Sequence, residues 1–266
     1  MTDLSVLIDT DRHRLTDADW LAAKRHELGA HGAVQMRRLL HPDALTVLQK
    51  EAAMGLSQAY FKPQSHNIYL DKGDEAHLKS HIRNRRVTSS KGCVTDDQIA
   101  AESVLKQIYH HYDFISALCF ILGEDALYPY ADSLSSVNIH YARRGEELNW
   151  HFDNSSFAVT LMIQPATAGG DFEYVRDVRD ADRGEMGFIQ AEAVVDGRQS
   201  ADRLSLDAGD LLLFRGKNSL HRVTPVTDDS TRQLAVLAYN SQPGISLSKT
   251  AQITFYGRTS GPVSEV

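Results

Sequence analysis

Apolar positions in the first half of the chain recur at helical spacing. Leu45, Leu48, Ala52 and Leu56 predict a helix from residue 43 to about 60. A broader stripe of Ile99, Val104, Leu105, Ile108, Tyr112, Ile115, Leu118 and Ile121 predicts a long helix over 96–122, ended by Gly123. Residues 16–30 predict a further helix capped by Thr16 or Asp17, and residues 33–40 a short strand. Residues 61–94 are polar and turn-rich and predict a long surface or lid-forming region. The period then changes. Short β-like runs follow at 134–142, 148–152, 157–163, 171–175, 211–214, 220–225, 233–239 and 252–256, with turns at Gly169-Gly170 and Gly209-Asp210. The charged stretch 176–203 interrupts them and reads as an insertion or lid.

Helices followed by many short strands imply a mainly β fold with N-terminal helices, a double-stranded β-helix (jelly roll, cupin-like). A chain of 266 residues can bury one large core. The expectation is one domain over 1–266, with helical support and lid to about 125 and the jelly-roll core over about 126–260.

Charge and cysteine usage narrow the partners. The formal charge of −7 argues against nucleic acid. The basic cluster His81-Ile82-Arg83-Asn84-Arg85-Arg86 is short, lacks interleaved aromatics, and reads as a solvated or anion-contacting loop. The two cysteines, Cys93 and Cys119, have no metal-type spacing, and Cys119 lies in an apolar stretch that predicts a buried thiol. The N-terminus lacks a signal-peptide pattern, and no apolar run approaches the ~20 residues that span a membrane. A soluble cytoplasmic protein without a membrane partner is expected, and a homodimer is compatible with the chain.

Among 12 histidines, three open a His-x-Asp triplet. His41-Pro42-Asp43 carries helix-start signals. His111-Tyr112-Asp113 falls in the long helical pattern, where residues two apart face different sides. His151-Phe152-Asp153 lies among strands, where alternate residues share a face. His221 follows 70 residues later and Arg232 eleven after that. Two imidazoles and a carboxylate can hold a divalent iron on one face and leave three positions open. His221 is expected from the sheet facing His151, so that the metal bridges the two sheets. Arg232 heads the apolar run Gln233–Tyr239 and needs an anionic partner, either Asp228 or Asp229 at the surface or a ligand carboxylate. Arg222 alternates away from His221 and faces outward.

The runs Asn149-Trp150-His151-Phe152-Asp153, Gly169-Gly170-Asp171-Phe172-Glu173-Tyr174, Gly209-Asp210-Leu211-Leu212-Leu213-Phe214 and His221-Arg222-Val223-Thr224-Pro225-Val226, followed by Arg232, resemble the iron(II)/2-oxoglutarate-dependent oxygenases in order over residues 134–240. The resemblance implies Fe(II) at His151, Asp153 and His221, 2-oxoglutarate paired with Arg232, O2 as oxidant, and release of succinate and carbon dioxide. Leu234 stands where that family often has serine. A narrower resemblance is to the free-amino-acid radical halogenases and their hydroxylase relatives. It rests on His81–Arg86, Ser89-Ser90-Lys91-Gly92-Cys93 and Gly145-Glu146-Glu147-Leu148-Asn149-Trp150-His151. In those halogenases glycine replaces the ligand carboxylate and frees a place for chloride. Asp153 therefore implies hydroxylation.

The expected substrate is a small molecule, a free amino acid or a derivative. Leu148 and Asn154 flank the metal triplet where lysine-specific members carry polar or acidic groups, which favours a less charged or more aliphatic side chain. Arg83 or Arg86 could bind a substrate carboxylate, His140 could orient substrate or co-substrate, and Tyr256 could form a pocket wall. Trp150 reads as core packing. The rivals are a non-catalytic metal-binding jelly roll, which would not need Arg232, a jelly-roll isomerase or oxygenase independent of 2-oxoglutarate, and a desaturase on the same scaffold.

Overall fold

A computed structural model describes residues 3–260. Its elements in chain order are α1 (Ala18–His31), β1 (Ala33–Met36), α2 (Pro42–Gly55), β2 (Tyr60–Phe61), β3 (Gln64–Asn67), β4 (Arg86–Ser89), β5 (Gly92–Val94), α3 (Val104–Tyr109), α4 (Tyr112–Leu122), β6 (Val137–Ala142), β7 (Leu148–His151), β8 (Ala158–Gln164), β9 (Phe172–Val175), α5 (Phe188–Val195), β10 (Asp202–Leu204), β11 (Leu211–Phe214), β12 (Leu220–Val223), β13 (Arg232–Leu237) and α6 (Lys249–Tyr256). The strand pairings are antiparallel throughout. They make a seven-stranded sheet in the order β1-β11-β8-β13-β6-β5-β2, a four-stranded sheet in the order β10-β9-β12-β7, and the hairpin β3-β4.

Alternation along the strands gives the large sheet two apolar faces. Ile139, Tyr141, Leu161, Ile163, Leu213 and Leu237 face outward and share a core with Leu28, Leu48, Leu105, Phe114 and Leu118 of the helices. Met162, Leu212, Phe214 and Leu234 face inward and meet Phe172, Tyr174 and Val223 of the small sheet. Each fully buried Leu, Ile or Phe contributes about 1.5–3 kcal/mol, so the helices stabilise the large sheet through this shared core. The inward faces leave a cavity between the sheets rather than a closed core.

The helical pattern is interrupted where the sequence predicts one element over 96–122. A 3-10 turn at Asp96–Gln98 precedes α3, whose cap is Ser103, and α4 starts afresh at His111. His111 is therefore not inside a helix: it is the N-cap of α4, and its Nδ1 accepts from the Asp113 N–H. The apolar stripe runs across the break because α3 and α4 bury their faces in one core. Gly123 ends α4 at φ 78°, a conformation open to glycine at little cost. His41 and Pro42 start α2, consistent with a structural triplet.

Four further expectations are corrected. Residues 252–256 are helical, not a strand, because Ser248 caps α6 and Gly257 stops it. Residues 61–94 are not one loop: they supply strands β3, β4 and β5 together with the end of β2. Residues 176–203 include α5, which packs Ala191 and Val194 on Trp150, Phe152, Val175 and Leu220. This stretch covers the outer face of the small sheet and belongs to a core. Cys119, expected to be buried, is partly exposed on α4, whereas Cys93 is buried. Among the described residues no helix is long and apolar enough to cross a membrane.

Candidate active site

β7 and β12 lie side by side in the small sheet, and His151 and His221 are register partners across them. The expectation that His221 comes from the facing sheet is therefore wrong. Alternation fixes which face a side chain takes, but it does not fix which strand lies beside it. The two imidazoles stand 4.2 Å apart between ring centroids. Asp153 follows β7, where its N–H donates to the Gly216 carbonyl. Its Oδ1 lies 3.6 Å from His151 Nε2 and 3.5 Å from His221 Nε2. Ligand atoms of the three residues all lie within 4.8 Å of one another, so they could hold one metal ion.

Backbone carbonyls fix the rings. His151 Nδ1 lies 2.8 Å from the Asn149 carbonyl and His221 Nδ1 lies 3.0 Å from the Ser219 carbonyl. A carbonyl only accepts, so both Nδ1 atoms carry hydrogen and the Nε2 atoms are the ring nitrogens that face Asp153. Burial, then the neighbouring His221, lowers the His151 pKa. Burial opposes ionisation of Asp153, but the two imidazoles outweigh it and hold the carboxyl below the usual carboxylate range. Metal binding requires neutral ring nitrogens beside an ionised carboxylate, and burial favours the neutral form of His151.

Several supports gave no sequence signal. His66 Nδ1 donates to the Asn67 carbonyl, so its Nε2 accepts from Ser89 Oγ at 2.8 Å. Ser89 Oγ in turn accepts from the Asn149 N–H at 2.9 Å, which ties the β3–β4 hairpin to the residue that orients His151. Arg179, from the stretch expected to be an insertion, donates to the Lys217 and Asp153 carbonyls at 2.7 and 3.2 Å. It pins the turn carrying Asp153 to the strand connection before β12. A Cβ on Gly216 would overlap Asp153 Oδ2. We expect Gly216→Ala to displace this carboxylate and to weaken metal affinity about 10- to 100-fold, the range seen when a ligand loses its support. Metal titration of a folded variant checks this.

Arg232 enters from β13 of the large sheet, opposite the two histidines. It is only 5% exposed. Its Nε has no hydrogen-bond partner, and burial lowers its pKa to about 10. The surface pairing is not found: Asp228 is bonded to Thr167 and Ser230, and Asp229 to Arg144. Arg222 faces outward as expected, 4.7 Å over the Trp150 ring and paired with Glu173. Trp150 is buried in the core beneath α5.

A cavity of about 510 Å³ joins these groups. It lies within the ~300–1,000 Å³ typical of small-molecule sites. Its walls include His151, Asp153, His221 and Arg232, with Leu148, Asn154, His140 and Arg86 among the expected substrate residues. Leu234 also lines it and offers no hydrogen bond. Two expected residues lie elsewhere. Arg83 is not on the wall: it pairs with Asp71 and lies over Tyr69. Tyr256 turns its hydroxyl to Asn138 at 3.1 Å in a separate buried cluster, while its neighbours Thr254 and Phe255 line the cavity. The misplacement of Tyr256 follows from reading α6 as a strand.

Comparison with known proteins adds a family and a fold. The family model described as "HalD: Halogenase D" matches residues 16–254. No curated protein sequence matches. Similar solved structures include a 2OG-Fe(II) oxygenase family oxidoreductase from Burkholderia pseudomallei, with TM-score 0.56 and 12% identity over 85% of this chain and 93% of that chain. The non-heme alpha ketoglutarate dependent carbocyclase SnoK from nogalamycin biosynthesis aligns with TM-score 0.58 and 12% identity over 91% of this chain and 93% of that one. A prolyl hydroxylase from Trichoplax adhaerens, bound to a hypoxia inducible factor peptide fragment, aligns with TM-score 0.53 and 13% identity over 85% and 95%. At such identities the likeness is one of fold.

Proposed function

Because the chain belongs to the halogenase D family and its cavity gathers two imidazoles, a carboxylate and a buried guanidinium whose Nε lacks a partner, we propose that it is an iron(II)- and 2-oxoglutarate-dependent oxygenase. The reaction is hydroxylation of an unactivated C–H bond in a small molecule, a free amino acid or amino-acid derivative. The two facing sheets are read as a jelly roll. The observation that carries the reading is Asp153: its Oδ1 stands within 3.6 Å of both histidine Nε2 atoms and completes a three-ligand face. Where related halogenases leave room for chloride, this chain supplies a ligand, which favours hydroxylation.

The donor set fits the metal, since two neutral imidazoles and a carboxylate suit ferrous iron. Bound at His151, Asp153 and His221, iron with 2-oxoglutarate and oxygen supplies the means to remove a hydrogen atom from an unactivated carbon and return a hydroxyl. The chain's own residues position and enclose. The Asn149 and Ser219 carbonyls keep both Nε2 lone pairs directed at the metal position. Arg232 offers a planar fork to the far carboxylate of the co-substrate. A non-catalytic metal module would leave that buried, unpaired guanidinium without a use. Leu148, Phe172, Leu212, Phe214, Val223 and Leu234 present apolar walls that exclude water. Gln64 of β3 donates to the Thr254 carbonyl of α6 at 2.6 Å and joins two elements that line the cavity.

The amino-acid reading rests on the size of the cavity and on the mixed charges along its wall, Asp71 and Arg86 among them. The two unpaired cysteines fit a reducing cytoplasm. Succinate release across a panel of free amino acids, with aliphatic and polar side chains beside lysine, tests the substrate class. A few members are expected to raise release above the substrate-free background and to gain one oxygen by mass. Uniform release across the panel would contradict the amino-acid reading, and a product lighter by two hydrogens would show desaturation.

A further inference from the structure

The wall of the large sheet carries a second basic group that the reaction outlined above does not use. Lys91 immediately precedes β5, and His140 lies on the adjoining strand β6. Both side chains line the cavity. Lys91 Nζ lies 3.0 Å from His140 Nδ1 and 3.1 Å from Nε2. Among the described residues no carboxylate lies within ion-pair distance of Lys91. Every other lysine or arginine on the cavity wall except Arg232 is exposed or bonded at the surface, as Arg86 is to Ser65.

The placement follows from register. Arg232 pairs with Ala142, Leu234 with His140, and Gly92 with Tyr141. Arg232 and Lys91 therefore approach the same cavity from strands on either side of β6. Burial holds the His140 pKa well below its usual value, with Lys91 and Arg232 adding to it, so the imidazole is neutral and accepts from the ammonium. A neutral ring does not compensate a desolvated cation as a carboxylate would. The large-sheet wall of the cavity thus carries two basic side chains, Arg232 and Lys91, near the ligand carboxylate Asp153; burial lowers the Lys91 pKa, and an incoming carboxylate would favour its charged form. One dicarboxylate co-substrate spanning metal and Arg232 leaves Lys91 without a counter-charge.

We propose that Lys91, steadied by His140, is a second carboxylate-binding site in this cavity, and that it takes the carboxylate of a substrate whose remaining body is apolar. The proposal rests on the oxygenase reading and refines it. It moves the substrate carboxylate from Arg83 and Arg86, both of which are engaged at the surface, to a residue inside the cavity. Leu148, Val236 and Phe255 are among the apolar side chains that line the same cavity. A carboxylate at Lys91 could instead be the metal-side carboxylate of 2-oxoglutarate, which offers the same chemistry.

Equilibrium binding separates these sources without turnover. The full chain, loaded with Zn(II) and saturating 2-oxoglutarate, is titrated with 4-methylpentanoate and with its neutral analogue 4-methylpentanamide. Affinity for 2-oxoglutarate is measured separately. Wild type should prefer the acid over the amide. Lys91→Met should weaken the acid about 10- to 100-fold, the cost of one charge-assisted hydrogen bond, and leave 2-oxoglutarate within threefold. Lys91→Arg should restore most of the acid preference, and the neutral Lys91→Gln stands in for Lys91→Met, with the same expected loss, if that variant does not fold. Selective weakening of 2-oxoglutarate would assign the same site to the co-substrate. No preference for acid over amide in wild type, or no change in either ligand for folded Lys91→Met, overturns the proposal. Failure of wild type to bind 2-oxoglutarate at all would instead overturn the oxygenase reading.

Discussion

Arg232→Met is expected to lower affinity for 2-oxoglutarate by about 100- to 1,000-fold while raising the stability of the ligand-free protein. The two effects have one cause. The guanidinium is 5% exposed, has an Nε without a partner, and forms no ion pair among the described residues, Asp171 acting on it only at longer range while paired with Arg203. Leaving a buried donor unsatisfied costs about 1–3 kcal/mol, which methionine of similar length removes. Removing one partner of a desolvated charge pair costs about 2–5 kcal/mol of binding, and each 1.4 kcal/mol is tenfold. Calorimetric titration with 2-oxoglutarate and a denaturant melt of the same variant read both signs. A loss of stability with unchanged affinity would mark Arg232 as a structural residue.

The second large effect is on the metal. His221→Ala removes one of three ligand atoms from a set whose members all lie within 4.8 Å. It leaves Asp153 without the neighbour that most lowers its pKa. Loss of a supporting group alone typically costs 10- to 100-fold in metal affinity, so loss of the ligand is expected to exceed about 100-fold. The fold should survive, because His221 sits at the cavity wall while its neighbours Leu220 and Val223 carry the packing of β12. Competition for ferrous iron with a chromogenic chelator under anaerobic conditions measures the change, and retained circular dichroism excludes unfolding. An affinity within threefold of wild type would remove His221 from the ligand set.

Much of the frame was legible where local chemistry and packing agree. The helix expected over residues 16–30 is found at 18–31, with Asp17 of the two candidate caps in use and Gly32 ending it. The core strands appear as short apolar runs because the large sheet is apolar on both faces. Arg232 stood out because a charge heading an apolar strand needs a partner. Three features were hidden for physical reasons. Gln252-Ile253-Thr254-Phe255-Tyr256 has strand composition, yet its caps decide the helix, so Tyr256 was aimed into the wrong space. His151 and His221 become neighbours only through long-range pairing of β7 with β12, which alternation cannot reveal. Lys91 lies in a polar stretch where a lysine looks solvated, and only the pairing of β5 with β6 turns it inward.

The central claim is that His151, Asp153 and His221 hold ferrous iron while 2-oxoglutarate chelates it and reaches Arg232. Anaerobic absorption spectroscopy tests this directly. Adding ferrous iron and 2-oxoglutarate together to the wild-type chain should produce a weak visible charge-transfer band that neither produces alone and that His221→Ala lacks. Absence of the band from the wild-type protein, or a band of equal strength in His221→Ala, would contradict the account.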